Sequence, residues 1–158
     1  MKELTVDKCV LVHCDSSAED AQQYRSNSLG FLCHWDTDTS LVACVNGGIT
    51  RDYDSFSEIG KTWWTSVTLQ NRYRNIARAI SQPRRVDFMK RMKVPLHHAD
   101  FDYVDAASQS NSLVWLSNEA RWQINKFRKR IQTAFNVEIQ NVNEYMSSVP
   151  AQGTAEAS

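Results

Sequence analysis

The chain has 158 residues, of which 42% are hydrophobic and 23% are charged, and its 18 basic residues balance its 18 acidic ones. This length is enough for one domain with a core of its own, so folding needs neither a disulfide nor a metal. No apolar run approaches the roughly 20 residues that span a bilayer, and the acids Glu3 and Asp7 argue against a secretory signal. We therefore expect a cytoplasmic protein, with one domain over residues 1–146 and a flexible polar tail over residues 147–158.

The first third of the chain is predicted to be mainly β-structure with one short helix. Residues 8–14 form a strand-like run, and residues 15–30 begin with a cap and first-turn acids that are typical of a helix. Residues 31–35 and 40–45 are predicted strands, joined by a polar turn that is typical of a hairpin. The Asn-Gly-Gly sequence at 46–48 is a second turn signal and predicts another short strand or a loop after it.

The four cysteines all lie in this part of the chain: Cys9, Cys14, Cys33 and Cys44. Three of them lie in apolar runs, where a free cysteine behaves as a small buried hydrophobe. No CxxC or HxxxH spacing is present, so core thiols are favoured over a metal site, and we expect no metal and no cofactor. A site assembled across strands, for example from Cys9 and His13, remains the alternative.

The longest helical pattern and the densest positive charge coincide in residues 56–93. Apolar residues recur at helical spacing from Phe56 to Ile80, which predicts one amphipathic helix with a polar, basic opposite face. Pro83 predicts the end of that helix, and a second, shorter helix is expected to start near Arg84. The stretch from Arg72 to Lys93 holds eight lysines and arginines against one acid, so positive charge is concentrated here.

The helical pattern weakens after this basic stretch and returns near the C-terminus. Residues 94–112 have no clear period and are predicted to form a long loop. From Ser117 to Phe135 apolar residues again recur at helical spacing, and VEIQNV at 137–142 alternates like an edge strand. Strands first and helices mostly later predict an α+β fold, in which two or three helices pack on one face of a small, mostly antiparallel sheet.

The polar faces of the two long predicted helices each carry a tryptophan among cations, and this is the leading functional signal. Aromatic rings stack on bases while lysine and arginine neutralise phosphates, and tryptophan and arginine also anchor protein interfaces. We call the predicted surface the basic tryptophan face; its residues are Trp64, Arg72, Arg74, Arg78, Arg84, Arg85, Trp122, Lys126 and Lys129. The leading hypothesis is a non-enzymatic module that binds nucleic acid or an acidic protein, one variant being an accessory or inhibitory protein that acts on a host factor.

Three other arrangements would explain the same aromatic and basic residues without an open binding face. The indoles could be covered by residues 94–112, because tryptophan is usually mostly buried. The acidic N-terminal half could pair with the basic helix inside the molecule, or the aromatic residues could form the seam of a homo-oligomer.

The alternative function is a small hydrolase or phosphoesterase-type enzyme. It would use His13 and either His97 or His98 as acid and base, provided that folding brings them together. The common signatures GxGxxG, GxxxxGK[ST], HExxH and GxSxG are absent, so the chain offers no named catalytic motif.

Overall fold

The structure of the protein is a computed structural model that describes residues 1–94 and 96–150. In chain order its elements are β1 (Lys2–Val6), α1 (Lys8–Val12), α2 (Glu19–Thr37), β2 (Leu41–Val45), α3 (Gly47–Tyr53), α4 (Glu58–Leu69), β3 (Tyr73–Asn75), α5 (Gln82–Met92), α6 (His98–Ser108), β4 (Val114–Leu116), a 3₁₀ helix (Ala120–Gln123), α7 (Asn125–Phe135), β5 (Glu138–Gln140) and α8 (Val142–Ser148). Short strands thus alternate with helices along the described residues.

The five strands form one parallel sheet in the order β3-β2-β1-β4-β5. The predicted α+β fold with a mostly antiparallel sheet is therefore wrong, and the protein is α/β. Neighbouring parallel strands need a crossover, and each pair here is joined through at least one helix. In β1, consecutive residues Leu4, Thr5 and Val6 are all buried although their side chains alternate between faces, so both faces of the sheet are covered.

Two predicted strands near the N-terminus are in fact helical. Residues 8–12 form α1, because the carboxylate of Asp7 caps the helix by accepting a hydrogen bond from the backbone N–H of Cys9. Residues 31–35 lie inside α2, where Phe31 and Trp35 are one helical turn apart and both buried. The hairpin between residues 31–35 and 40–45 does not exist for this reason. The strand predicted at 40–45 is confirmed as β2.

The helix predicted from Phe56 to Ile80 is also wrong in its second half. The helix α4 ends at Leu69, and Asn71 adopts a left-handed conformation with φ of 53°, which asparagine tolerates better than most residues. The chain then extends as β3 and pairs with β2. The second helix predicted near Arg84 is confirmed as α5; Ser81 caps it, and Pro83 lies in its first turn, where a missing N–H costs little.

The C-terminal third contains one missed helix and one confirmed strand. Residues 98–108 form α6, so the loop predicted over 94–112 is wrong. Phe101, Val104 and Ala107 of this helix are fully buried and pack into the core. The strand predicted at the end of the chain is confirmed as β5, at the edge of the sheet.

The helix predicted from Ser117 is interrupted, and Ser117 has another role. A 3₁₀ turn precedes α7, and the Ser117 hydroxyl donates a hydrogen bond to Asp7 instead of capping a helix. Among residues 1–94 and 96–150 no helix is long and apolar enough to cross a membrane. Of the predicted flexible tail, residues 147 and 148 belong to α8, whereas 151–158 lie outside the described residues.

Candidate functional site at the carboxyl end of the sheet

The sheet has a topological switch between β1 and β4. From β1 the chain builds outward through β2 and β3, then returns to the other side of β1 to add β4 and β5. In open parallel sheets the ligand site lies outside the carboxyl ends of the strands at such a switch. A solvent-open crevice of about 330 Å³ lies there, lined by Asp7, Lys8, Cys9, Val12, Asp52, His97, Ala99, Asp100, Tyr103, Glu119 and Arg121. We call it the switch crevice.

Asp7, the residue directly after β1, lies at the base of the switch crevice and is 5% exposed. One carboxylate oxygen accepts from the backbone N–H of Cys9 at 3.2 Å, and the other accepts from the Ser117 hydroxyl at 2.9 Å. Burial raises the pKa of Asp7 to about 7; repulsion from Glu119 and Asp100 adds to the shift, and the two hydrogen bonds oppose it. The carboxyl group is thus held where a negative charge is costly unless a cation accompanies it.

Cys9 and Glu119 place two further donor groups beside Asp7. The Sγ atom of Cys9 accepts a hydrogen bond from the backbone N–H of Asn118 at 3.2 Å and lies 3.7 Å from the Ser117 hydroxyl. Burial, followed by the charge of Asp7, raises the pKa of the Cys9 thiol well above its usual range. One ligand atom each from Asp7, Cys9 and Glu119 lie within 4.8 Å of one another, which is close enough for all three to reach a single metal ion.

A third carboxylate and a guanidinium complete the far wall of the crevice. Asp100, in the first turn of α6, accepts from the backbone N–H of His97 at 2.8 Å and forms an ion pair of 2.9 Å with Arg121. Burial raises the pKa of Asp100, while the hydrogen bond from His97 and the charge of Arg121 oppose the shift. Arg121 also lies over the ring of Trp122, with its guanidinium carbon 5.5 Å from the ring centre. Arg121 is therefore held beside the acids and lines the cavity.

Lys8 provides the other cation of the switch crevice. Its ammonium donates to the Ser55 hydroxyl at 2.6 Å and lies 3.9 Å from the carboxylate of Asp52. Its backbone N–H donates to the hydroxyl of Tyr103, which in turn donates to Asp52. This chain of contacts fixes the first turn of α1 against α3 and α6, and it keeps a positive charge at the crevice wall.

A second, more basic cavity adjoins the first and shares Asp52 and Ala99 with it. We call this cavity of about 410 Å³ the arginine crevice; it is lined by Gly48, Arg51, Asp52, Ser55, Arg78, Gln82, Arg85, Ala99 and Asp102. Arg78 forms an ion pair of 3.0 Å with Asp102, and a Cβ at Gly48 would lie only 2.0 Å from that carboxylate. Glycine is therefore required for the close approach of α3 to Asp102.

Of the histidines proposed as acid and base, the structure describes the surroundings of His13 and His97. His13 is half-buried, its ring stacks on Tyr24 at 5.5 Å, and its Nδ1 lies 3.1 Å from the side-chain amide of Asn118. Burial lowers the pKa of His13. His97 lines the switch crevice, but none of the described contacts joins it to His13. The side chain of His98 lies outside what the structure describes.

The basic tryptophan face does not form as one exposed surface. Trp122 is fully buried and packs on Trp115 at 5.3 Å, while Trp64 is partly buried with its ring edge against Tyr53 at 5.1 Å. The expectation that both indoles emerge away from the core is wrong, because Trp64 on α4 packs against the core and Trp122 is buried in the 3₁₀ turn before α7.

The cations of the predicted face divide into a buried pair and an exposed set. Arg72 and Arg85 are only 7% and 5% exposed; Arg72 donates to the backbone oxygens of Leu41 and Asp38, and Arg85 pairs with Asp105. The exposed members are Arg74, Arg78, Arg84, Lys126 and Lys129. Arg78 and Arg85 both line the arginine crevice. Binding of an acidic partner by the exposed cations stays a prediction.

Sequence reasoning names Cys9 as a possible partner of His13, but it does not predict that the fold brings Cys9 together with Asp7, Asp100 and Glu119. An acid that directly follows an apolar strand was the available signal, since β1 leads into Asp7 and β4 leads into Ser117, Asn118 and Glu119. That signal becomes informative only when the two strands are known to be parallel neighbours.

The chain matches no protein-family model, and neither a curated protein nor a solved structure matches it significantly.

Proposed function

We propose that this protein is a divalent-cation-dependent phosphoesterase whose active site is the switch crevice. The observation that carries the proposal is the convergence of donor atoms from Asp7, Cys9 and Glu119 within 4.8 Å, at the place where parallel α/β sheets bind ligands. The proposal keeps the hydrolase class that the sequence suggests as an alternative, and it replaces the histidine pair with carboxylates from the ends of β1 and β4.

The crowding of acids at this position supports a role for a cation. Asp7, Asp100 and Glu119 line one cavity, and their mutual repulsion contributes to the raised pKa of both aspartates. Carboxylate oxygens are common ligands of divalent cations, so Asp7 and Glu119 would hold such an ion. A bound cation of this kind neutralises charge on a phosphoryl group and lowers the pKa of a coordinated water.

Lys8 and Arg121 are the groups that would contact the substrate phosphate. Both line the switch crevice, and both are restrained, Lys8 by Ser55 and Arg121 by Asp100. A guanidinium with a planar set of donors suits phosphate oxygens, and restraint lowers the entropy lost when the substrate binds. These residues would bind and orient the phosphate.

The adjoining arginine crevice favours a substrate with more than one phosphate. Arg51 and Arg78 line it, and it shares the lining residues Asp52 and Ala99 with the switch crevice. A phosphodiester chain such as single-stranded nucleic acid would place neighbouring phosphates along the two cavities. We therefore propose a phosphodiester of this kind as the substrate, and this choice keeps nucleic acid as the partner.

Hydrolysis assays on the full chain test the proposal. The substrates are bis(4-nitrophenyl) phosphate, 4-nitrophenyl phosphate and single-stranded RNA and DNA oligonucleotides, each with Mg²⁺, Mn²⁺, Zn²⁺ or EDTA. We expect cleavage of a diester or an oligonucleotide that depends on an added cation and stops with EDTA. The same low rate with every cation and with EDTA, on all four substrates, would contradict the proposal.

The substitution Arg51→Gln tests the arginine crevice as a phosphate site. Loss of one phosphate contact to a single strand should reduce the slope of log K against log salt by about 0.7, and weaken oligonucleotide binding at low salt. Fluorescence anisotropy over a salt series measures this slope. Lys129→Gln on α7 is the matched control, because it removes one exposed positive charge outside both crevices. If only the control variant changes the slope, the basic tryptophan face is favoured instead.

A further inference from the structure

Cys9 distinguishes the switch crevice from a site built of carboxylates alone. Its sulfur belongs to the same group as the carboxylate oxygens of Asp7 and Glu119, with ligand atoms within 4.8 Å of one another. Donors around one tetrahedral ion lie about 3.3–3.8 Å apart, given metal–ligand distances of about 2.0–2.3 Å. Side-chain movements of about 1 Å would therefore close the three donors on one ion.

Cys9 packs against the edge of the core, and its sulfur also lies beside the carboxylates of Asp7 and Glu119. It accepts a hydrogen bond from the backbone N–H of Asn118 at 3.2 Å, which holds the sulfur in place beside the two carboxylates. Cys9 is only partly buried and lines the crevice, whereas Cys14 and Cys44 are buried in the core. Cys9 alone among the four cysteines contributes to a described group of metal-binding side chains.

One buried hydroxyl contacts all three donor residues. Ser117, which is 0% exposed, donates to the carboxylate of Asp7 at 2.9 Å and lies 3.7 Å from the sulfur of Cys9. Its oxygen also accepts from the backbone N–H of Glu119 at 3.4 Å. Groups outside the ligand set that orient the ligands in this way are a regular feature of metal sites.

We propose that Asp7, Cys9 and Glu119 form a mixed thiolate and carboxylate site that selects a transition ion such as Zn²⁺ or Co²⁺ over Mg²⁺. Thiolate sulfur is a poor ligand for Mg²⁺, which demands octahedral oxygen coordination, whereas Zn²⁺ and Co²⁺ accept sulfur and oxygen together. Three protein ligands in a crevice open to solvent leave a position for water or substrate, as in catalytic zinc sites. The inference rests on the proposed function for its role in catalysis, although metal binding itself is measured separately.

Titration of the metal-free full chain with Co²⁺ tests the ligand set. Thiolate bound to Co²⁺ gives a charge-transfer band in the near ultraviolet. We expect this band for the wild type and for the control variant Cys33→Ser, because Cys33 is an exposed residue on α2 outside the ligand set. Cys9→Ser should lose the band and bind Zn²⁺ at least about 10-fold more weakly in calorimetry, because it loses a ligand. Equal Zn²⁺ affinity of Cys9→Ser and wild type would overturn the inference.

Alkylation of Cys9 in the wild type tests the same ligand without a substitution, so the test does not depend on whether a variant folds. Zn²⁺ should slow alkylation of Cys9 by iodoacetamide, followed by peptide mass spectrometry, while Mg²⁺ at the same concentration leaves it unchanged. Equal alkylation of Cys9 with and without Zn²⁺ would overturn the inference.

The two proposals can fail separately. If the thiolate–Co²⁺ band is present but no phosphoester is cleaved, the proposed function fails and the metal site stands. If Mg²⁺ supports cleavage while Zn²⁺ neither binds nor protects Cys9, the proposed function stands and the metal selection fails.

Discussion

Asp7→Asn is expected to stabilise the metal-free protein at pH 8 by up to about 4 kcal/mol. In the folded state burial raises the pKa of Asp7 from 3.8 to about 7, so the folded protein holds this proton more tightly than the unfolded chain. A difference of about three pKa units corresponds to about 4 kcal/mol. Asparagine is as good a helix cap as aspartate, and it carries no charge to bury.

The pH dependence of this effect follows from the raised pKa. Stability associated with Asp7 is fully present below about pH 4 and is lost as the pH rises from about 4 to about 7, because the unfolded chain releases this proton in that range while the folded state still holds it. The variant and the wild type should therefore differ little at pH 4 and most at pH 8. Chemical unfolding in EDTA at several pH values measures the difference. A variant that is less stable than wild type at pH 8, or a difference that is the same at every pH, would contradict this account.

Asp105→Asn is expected to have the opposite effect and to destabilise the protein by about 3–5 kcal/mol. Asp105 is 0% exposed and accepts from the backbone N–H groups of Ala79 and Ile80, at 3.0 and 2.9 Å. It also forms an ion pair of 3.3 Å with Arg85, whose side chain is 6% exposed. Removal of the carboxylate charge leaves a buried guanidinium whose remaining polar contacts among the described residues are the carboxylate of Asp102 at 3.6 Å and the backbone oxygen of Ile80 at 3.2 Å. The loop between β3 and α5 loses its anchor at the same time.

Urea unfolding compares Asp105→Asn with the control Asp87→Asn. Asp87 also pairs with an arginine, Arg91 at 2.7 Å, but both side chains are more than half exposed. The control should therefore change the free energy of unfolding by less than about 0.5 kcal/mol. Equal effects of the two substitutions would show that Asp105 does not anchor this loop.

The sequence predicts individual elements well where periodicity and capping agree. The second helix near Arg84 is confirmed as α5, although Pro83 lies in its first turn and does not end a preceding helix, and the apolar runs of β2 and β5 are recognisable as strands. Residues 31–35 alternate like a strand, yet Phe31 and Trp35 also lie one helical turn apart, and local pattern cannot choose between the two. If residues 31–35 are taken as a strand, they form a hairpin with β2 and the sheet is predicted to be antiparallel. Because they are helical, they belong to the crossover between the parallel strands β1 and β2.

The helix α6 is missed because its residues show no clear hydrophobic period, and the acids among them are buried only through tertiary pairing. Asp100, Asp102 and Asp105 alternate with buried apolar residues, and their partners are arginines that lie far away in the chain. A buried carboxylate is acceptable only when it is paired, and the pairing is a tertiary property. The sequence therefore shows the charges of this segment without showing how they are satisfied.

The candidate site is less predictable than the fold because its parts come from distant segments. Asp7 and Ser117 are 110 positions apart in the chain, and only the parallel pairing of β1 with β4 brings them into hydrogen-bond contact. The concentration of basic residues at 72–93 predicts an exposed binding surface. Two of these residues, Arg72 and Arg85, are instead buried and donate hydrogen bonds to backbone oxygens.

The most direct measurement is the rate of diester hydrolysis by Glu119→Gln beside the wild type and His13→Gln, with saturating Mn²⁺ or Zn²⁺. Glu119 belongs to the donor group of the switch crevice, whereas His13 packs on Tyr24 outside its lining. If the switch crevice is a cation-dependent active site, Glu119→Gln lowers kcat by at least about 100-fold and His13→Gln leaves it within a factor of about three. A Glu119→Gln protein that folds and turns over like the wild type, while His13→Gln is inactive, would contradict the account.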